Sequence, residues 1–133
     1  MIIHIDMQSE VPIYIQLVNQ VIEGIAKGML QPGESLPSVR RMASDIGINM
    51  HTVNKAYHLL KQGDFIEMHQ RKGVIIQSMP PTSLISQYRP LLIESLRPVV
   101  ASAICKGISE EQLQSLVNEL YRNIKEFKGE NHI

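Results

Sequence analysis

The sequence predicts a mainly α-helical fold with a small β-hairpin, divided into two parts. Three observations predict it: three stretches with apolar residues at helical spacing, two short apolar runs around a turn, and two further amphipathic stretches near the C-terminus. The chain has 133 residues, 44% of them hydrophobic, so it can bury a core. We expect a domain at residues 1–78 and a helical tail at residues 79–133, with a stiff linker at Met79-Pro80-Pro81 between them.

The first helix is predicted over residues 12–27. Ile13, Leu17, Val21 and Ile25 recur every four residues and form one apolar face. Proline fits the first turn of a helix, where its missing N–H costs nothing, so the prediction places residue 12 inside that turn.

Two short helices follow, with a glycine between them. Ser38 is the expected N-cap of the second helix, and Gly47 ends it. Asn49 is the expected cap of the third helix, which runs to about residue 62. Its inner face is predicted to consist of Val53, Ala56, Tyr57 and Leu60. Two short helices joined by a glycine turn match a helix-turn-helix.

Two short apolar runs, at residues 65–68 and 74–77, flank a turn at residues 69–73. This pattern predicts a β-hairpin. A hairpin directly after a helix-turn-helix is the wing of a winged helix-turn-helix.

The tail is predicted to contain two helices. Residues 82–106 have helical spacing, but Pro90 and Pro98 are expected to break or kink that helix. Ser109 and Gln112 form a capping box that starts the last helix, which carries an apolar stripe as far as Phe127. These stripes could pack onto the first helix, but we expect them to join two copies of the chain. The predicted dimerisation residues are Leu92, Leu96, Val100, Leu113, Leu116, Val117, Leu120, Tyr121 and Ile124.

The third helix is the candidate DNA-reading element. With its inner face buried, the third helix presents His51, Asn54, Lys55 and His58 outward. A DNA major groove admits such a helix, and its first turns reach the base edges. Asparagine can pair with adenine, and lysine with guanine or phosphate. The alternative is that these residues are only a solvated face.

Three segments resemble the GntR family of regulators, and in part its YtrA subfamily. They are PIYIQ at residues 12–16, GMLQPGESLPSVR at residues 28–40 and GINMHTVNKAY at residues 47–57. The resemblance implies a winged helix-turn-helix dimer that usually represses transcription. With the helix geometry, it gives the expected residues at double-stranded operator DNA: Arg40, Arg41, Asn49, Met50, His51, Thr52, Asn54, Lys55, His58, Arg71, Lys72 and Gly73.

Composition limits the other functions. The formal net charge is zero, which is unusual for a DNA-binding protein, but the segment 38–62 has four basic residues and one acidic residue. Cys105 is the single cysteine, and the sequence has neither the pattern of a signal peptide nor an apolar run long enough for a membrane span. We therefore expect a cytoplasmic protein. No catalytic or cofactor motif occurs, so we expect neither enzyme activity nor a cofactor.

Two alternatives remain open at this point. One is a winged-helix module that binds a protein, which the neutral charge would suit. The other is a metal-responsive regulator, suggested by five histidines and one cysteine. His51 and His58 lie about 10 Å apart along a helix, too far to share one ion, so the sequence predicts no metal site. It also leaves open whether a small-molecule effector binds.

Overall fold

The computed structural model describes residues 2–78 and 85–127, which form two compact units: residues 2–78 with Phe127, and residues 85–126. The first unit contains α1 (Ile13–Ala26), β1 (Ser35–Leu36), α2 (Val39–Ile46), α3 (Met50–Gln62), β2 (Ile66–His69) and β3 (Gly73–Ile76). The second contains α4 (Ile85–Cys105) and α5 (Glu110–Lys125). The predicted fold class, a winged helix-turn-helix followed by two helices, is confirmed. The Met79-Pro80-Pro81 linker lies outside the described residues.

The core of the first unit is made where α1, α2, α3 and the sheet meet. Leu17 and Val21 of α1 and Val53, Tyr57 and Leu60 of α3 are fully buried there. The predicted inner face of α3 is therefore confirmed. One detail of α1 differs, because residue 12 has an extended backbone, with ψ of 145°, and precedes the helix instead of lying in its first turn.

The two predicted caps of the helix-turn-helix are confirmed. The Ser38 hydroxyl accepts a hydrogen bond from the Arg41 N–H, at 3.1 Å, and starts α2. Gly47 ends α2 with φ of 72°, a left-handed conformation in which a side chain would be strained. Asn49 then starts α3, so only three residues separate the two helices.

The wing is part of a three-stranded antiparallel sheet of order β1-β3-β2. β2 and β3 pair with His69 opposite Gly73, and β1 pairs with the other edge of β3, with Leu36 opposite Val74. Each of these two strands is shifted by one residue from its predicted range, since pairing begins at Ile66 and Gly73. The third strand was not predicted at all.

In the second unit, α4 is continuous through Pro90 and Pro98, so the predicted break is wrong, while a kink at these prolines stays a prediction. Each proline removes one N–H donor, but this part of the helix is exposed, so water can satisfy the carbonyls that lose a partner. The capping box of α5 is confirmed: the Ser109 hydroxyl accepts from the Gln112 N–H, and the Gln112 side chain accepts from the Ser109 N–H. Phe127 lies beyond the end of α5.

Candidate nucleic-acid interface

The outward face of α3 is polar and free of negative charge. His51, Asn54 and His58 are exposed on the side opposite the buried Val53 and Leu60, and no residue of α3 is acidic. The Asn49 side-chain oxygen accepts from the His51 N–H at 2.7 Å. Asn49 therefore acts first as a helix cap, and its side-chain NH₂ group is the part left to contact another molecule.

Tyr57 fixes the start of α2 against α3. Its hydroxyl donates to the Pro37 carbonyl oxygen at 2.7 Å, next to the cap residue Ser38. Burial of the ring raises the pKa of the Tyr57 phenol, so it stays a neutral donor. The inner side of the reading helix thus sets where α2 begins, and Arg40 lies on the first turn of α2.

Three cations of the helix-turn-helix, Arg40, Arg41 and Lys55, differ in their surroundings. Arg41 Nε lies 3.5 Å from a carboxylate oxygen of Asp45, one turn along α2. Arg40 is exposed and has no ion pair within residues 2–78 or 85–127. Lys55 Nζ lies over the Tyr14 ring of α1, 4.0 Å from its centroid. Of these three cations, Arg40 is thus the least engaged within the protein.

The tip of the wing carries further positive charge. Arg71 and Lys72 are exposed in the turn between β2 and β3, and Gly73 closes the turn with φ of 78°. His69 Nε2 lies 2.6 Å from a Glu67 carboxylate oxygen at the end of β2.

The residues predicted at DNA thus lie in three groups: the start of α2, the stretch from the cap Asn49 to His58 on α3, and the wing turn. All of them are exposed except Thr52, which is half-buried. Their contact with DNA stays a prediction. Sequence reasoning missed Tyr14, because its proximity to Lys55 depends on how α1 packs against α3.

The second unit carries an extensive apolar surface. The predicted dimerisation residues are exposed, apart from Leu113 and Ile124, which are half-buried; Leu116 and Leu120 are 48% and 59% exposed. Between the second half of α4 and the start of α5 lies a cleft of about 580 Å³. Its apolar lining includes Leu96, Val100, Leu113 and Val117.

Within the described ranges, no three His, Cys, Asp or Glu side chains come together to form a metal site. No helix of the described chain is both long and apolar enough to cross a membrane.

Three helices, a paired wing and an exposed polar face on the third helix define a winged helix-turn-helix DNA-binding regulator. The chain belongs to the gntR family of bacterial regulatory proteins, whose model matches residues 13–76. It is 34% identical over 123 residues to the HTH-type transcriptional repressor YtrA of Bacillus subtilis (strain 168), which covers 92% of this chain and 95% of that relative. It is 36% identical over 80 residues to the HTH-type transcriptional regulator Rv1152 of Mycobacterium tuberculosis, 60% of this chain and 66% of that relative.

Two solved structures are also similar to this chain over most of its length. A transcriptional antiterminator from Listeria monocytogenes EGD-e superposes with a TM-score of 0.80 at 29% identity, over 94% of this chain and 93% of that one. YtrA from Sulfolobus acidocaldarius, a GntR-family transcription factor, has a TM-score of 0.62 at 42% identity, over 76% of this chain and 99% of that one. The chain is a transcriptional regulator of this family that binds DNA.

Proposed function

We propose that the protein is a homodimeric repressor that binds a palindromic operator, with α3 of each protomer in a major groove. The observation that carries this proposal is the exposed face of α3, where His51, Asn54 and His58 project from a helix without acidic residues. A helix of this kind can approach the phosphates without repulsion and offer donors and acceptors to base edges.

In this proposal the three groups of the interface have separate tasks. Asn54 reads a base, since an asparagine amide can pair with both N6 and N7 of adenine. Arg40 on α2 and Arg71 and Lys72 on the wing bind phosphates and fix the position of α3, without reading sequence.

The second unit, within the tail at residues 79–133, is proposed to join the two protomers. Its exposed apolar side chains are too numerous for a solvated pair of helices, and their contiguity along α4 and α5 favours another copy of the same surface. Joining two readers raises operator affinity through effective concentration, without new base contacts.

Repression is supported by the relative named as a repressor, which matches nearly the whole chain. We place the protein in the cytoplasm, where it acts on DNA, and assign it no enzyme activity. The proposal needs no cofactor or metal, and it leaves a small-molecule effector undetermined.

The first test is selection of bound sequences from a random DNA pool, followed by affinity measurements across salt concentrations. We expect a palindrome, bound with an affinity that falls steeply as salt rises because phosphate contacts release counterions. Weak binding without sequence preference at every salt concentration would reject the operator. An unchanged regulatory phenotype after Arg40, Lys55 and Lys72 are all changed to Ala would instead favour the protein-binding module.

The second test separates base reading from phosphate binding. Asn54→Ala is expected to cost about 1–3 kcal/mol of operator binding and to relax the preference at one position. Arg40→Ala is the matched comparison, expected to weaken all sequences alike and to reduce the salt dependence. An unchanged preferred sequence in Asn54→Ala would refute the assigned role.

The third test concerns the tail. Leu116→Asp with Leu120→Asp places two unpaired charges in the proposed interface, so we expect a monomer by light scattering with much weaker operator binding. Ser115→Asp with Arg122→Gln, on the opposite side of α5, makes the same change in net charge and is expected to stay dimeric. A double Asp variant that remains dimeric would place the interface elsewhere.

A further inference from the structure

Lys55 has a defined partner within the protein although it lies on the exposed face of α3. Its ammonium nitrogen is 4.0 Å from the centroid of the half-buried Tyr14 ring, at the start of α1. A cation above an aromatic face is attracted by the negative charge of the ring face. This contact limits the positions that a long, flexible side chain would otherwise sample.

The contact also separates Lys55 from the residues that face the groove. Asn54 and Lys55 are consecutive, so their side chains leave α3 about 100° apart. The Lys55 side chain is drawn toward α1, at the side of the reading face. Tyr14 covers one side of an ammonium that has three donors, so donors remain for an oxygen atom on another molecule.

We propose that Tyr14 is a positioning residue of the DNA interface: its ring holds the Lys55 ammonium in place to bind a DNA phosphate at the side of the groove. A phosphate fits better than a base because lysine is a point charge without a fixed bidentate geometry. Holding the side chain in its bound position lowers the entropic cost of binding. The inference rests on the proposed function only in that α3 faces DNA.

The test is a double-mutant cycle in the full chain, with Tyr14→Leu, Lys55→Ala and the double variant. Tyr14→Phe is the matched control that keeps the ring. Affinities are measured on the selected operator and on a random duplex of the same length. We expect Tyr14→Leu to weaken binding to both duplexes about 2- to 5-fold, and to have no further effect once Lys55 is Ala. Tyr14→Phe should bind like the wild type, and Lys55→Ala should reduce the salt slope by about 0.9 without changing base preference.

Three results would overturn the proposal. The first is that Tyr14→Leu weakens binding equally with Lys55 and with Ala at position 55. The second is a changed base preference in Lys55→Ala, and the third is weaker binding by Tyr14→Phe than by the wild type. NMR gives a readout that does not depend on the folding of any variant. The Lys55 ε-methylene protons should show an upfield ring-current shift that persists in the DNA complex, and its disappearance on binding would also refute the proposal. If the wild type prefers neither duplex, the operator proposal fails, while the cycle on the random duplex still decides the role of Tyr14.

Discussion

The hydroxyl of Tyr57 ties the reading helix to the start of α2 by a hydrogen bond. Tyr57→Phe removes its 2.7 Å hydrogen bond to the Pro37 carbonyl and keeps the fully buried ring. A hydrogen bond of this kind contributes about 1 kcal/mol net, and a carbonyl left without a partner costs about 1–3 kcal/mol when buried. Pro37 is only half-buried, so water can compensate in part, and the expected loss is about 1–2 kcal/mol.

The measurement is urea unfolding together with the thermal midpoint, which falls by about 4–8 °C per kcal/mol in a domain of this size. The control is Tyr88→Phe on α4, which removes an exposed hydroxyl and should change neither. Faster amide exchange at Arg41, whose N–H donates to the Ser38 hydroxyl, would locate the loss at the start of α2. Unchanged stability in Tyr57→Phe, or an equal loss in the control, would refute this role.

Three further predictions follow from local geometry. Burial raises the pKa of the Tyr57 phenol, so above about pH 10 only the unfolded chain ionises it. The stability advantage of the wild type over Tyr57→Phe should therefore shrink by about 1.4 kcal/mol per pH unit there, and a constant difference in urea unfolding would contradict this. Gly63→Ala places a Cβ 2.9 Å from the Phe65 ring and should cost about 1–3 kcal/mol in the same assay, whereas an unchanged midpoint would show that the ring moves freely. Gln16→Glu removes the side-chain donor to the Asp6 carbonyl, at 3.0 Å, so faster amide exchange is expected at residues 4–11, and unchanged exchange would exclude a role in holding them.

The helices of the first unit could be predicted from the sequence because their signals are local. Apolar spacing shows which side of α3 is buried, and Ser38 and Asn49 mark the starts of two helices by a hydrogen bond that each makes within its own turn. Gly47 marks the end of α2 for the same reason, since its left-handed conformation favours glycine.

The elements that were missed depend on partners distant in sequence. β1 has two residues, too few to show alternation, and it exists because Leu36 pairs with Val74 of β3. The continuity of α4 through Pro90 and Pro98 was also not predictable from proline content, because it depends on exposure of the helix to water.

The candidate site could also be predicted only where its signals are local. The exposed face of α3 follows from its buried face, which the apolar spacing predicts. The Arg41–Asp45 pair was not among the predictions, although its spacing of four residues is one that joins side chains on a helix. The contact of Lys55 with Tyr14 could not be predicted, because 41 positions separate the two residues and only the packing of α1 on α3 brings them together.

The zero net charge does not oppose DNA binding, because charge acts locally. Beyond about 10 Å, salt at 0.1 M screens much of the interaction between exposed charges, so distant carboxylates count for little at the α3 face. Within the first unit, Glu23 lies 2.8 Å from Lys27 on α1, and Asp45 is paired with Arg41. What a phosphate meets at α3 is therefore a helix with two lysines and no acid. Local charge of this kind favours close approach to DNA without the general attraction to polyanions that a strongly basic protein would have.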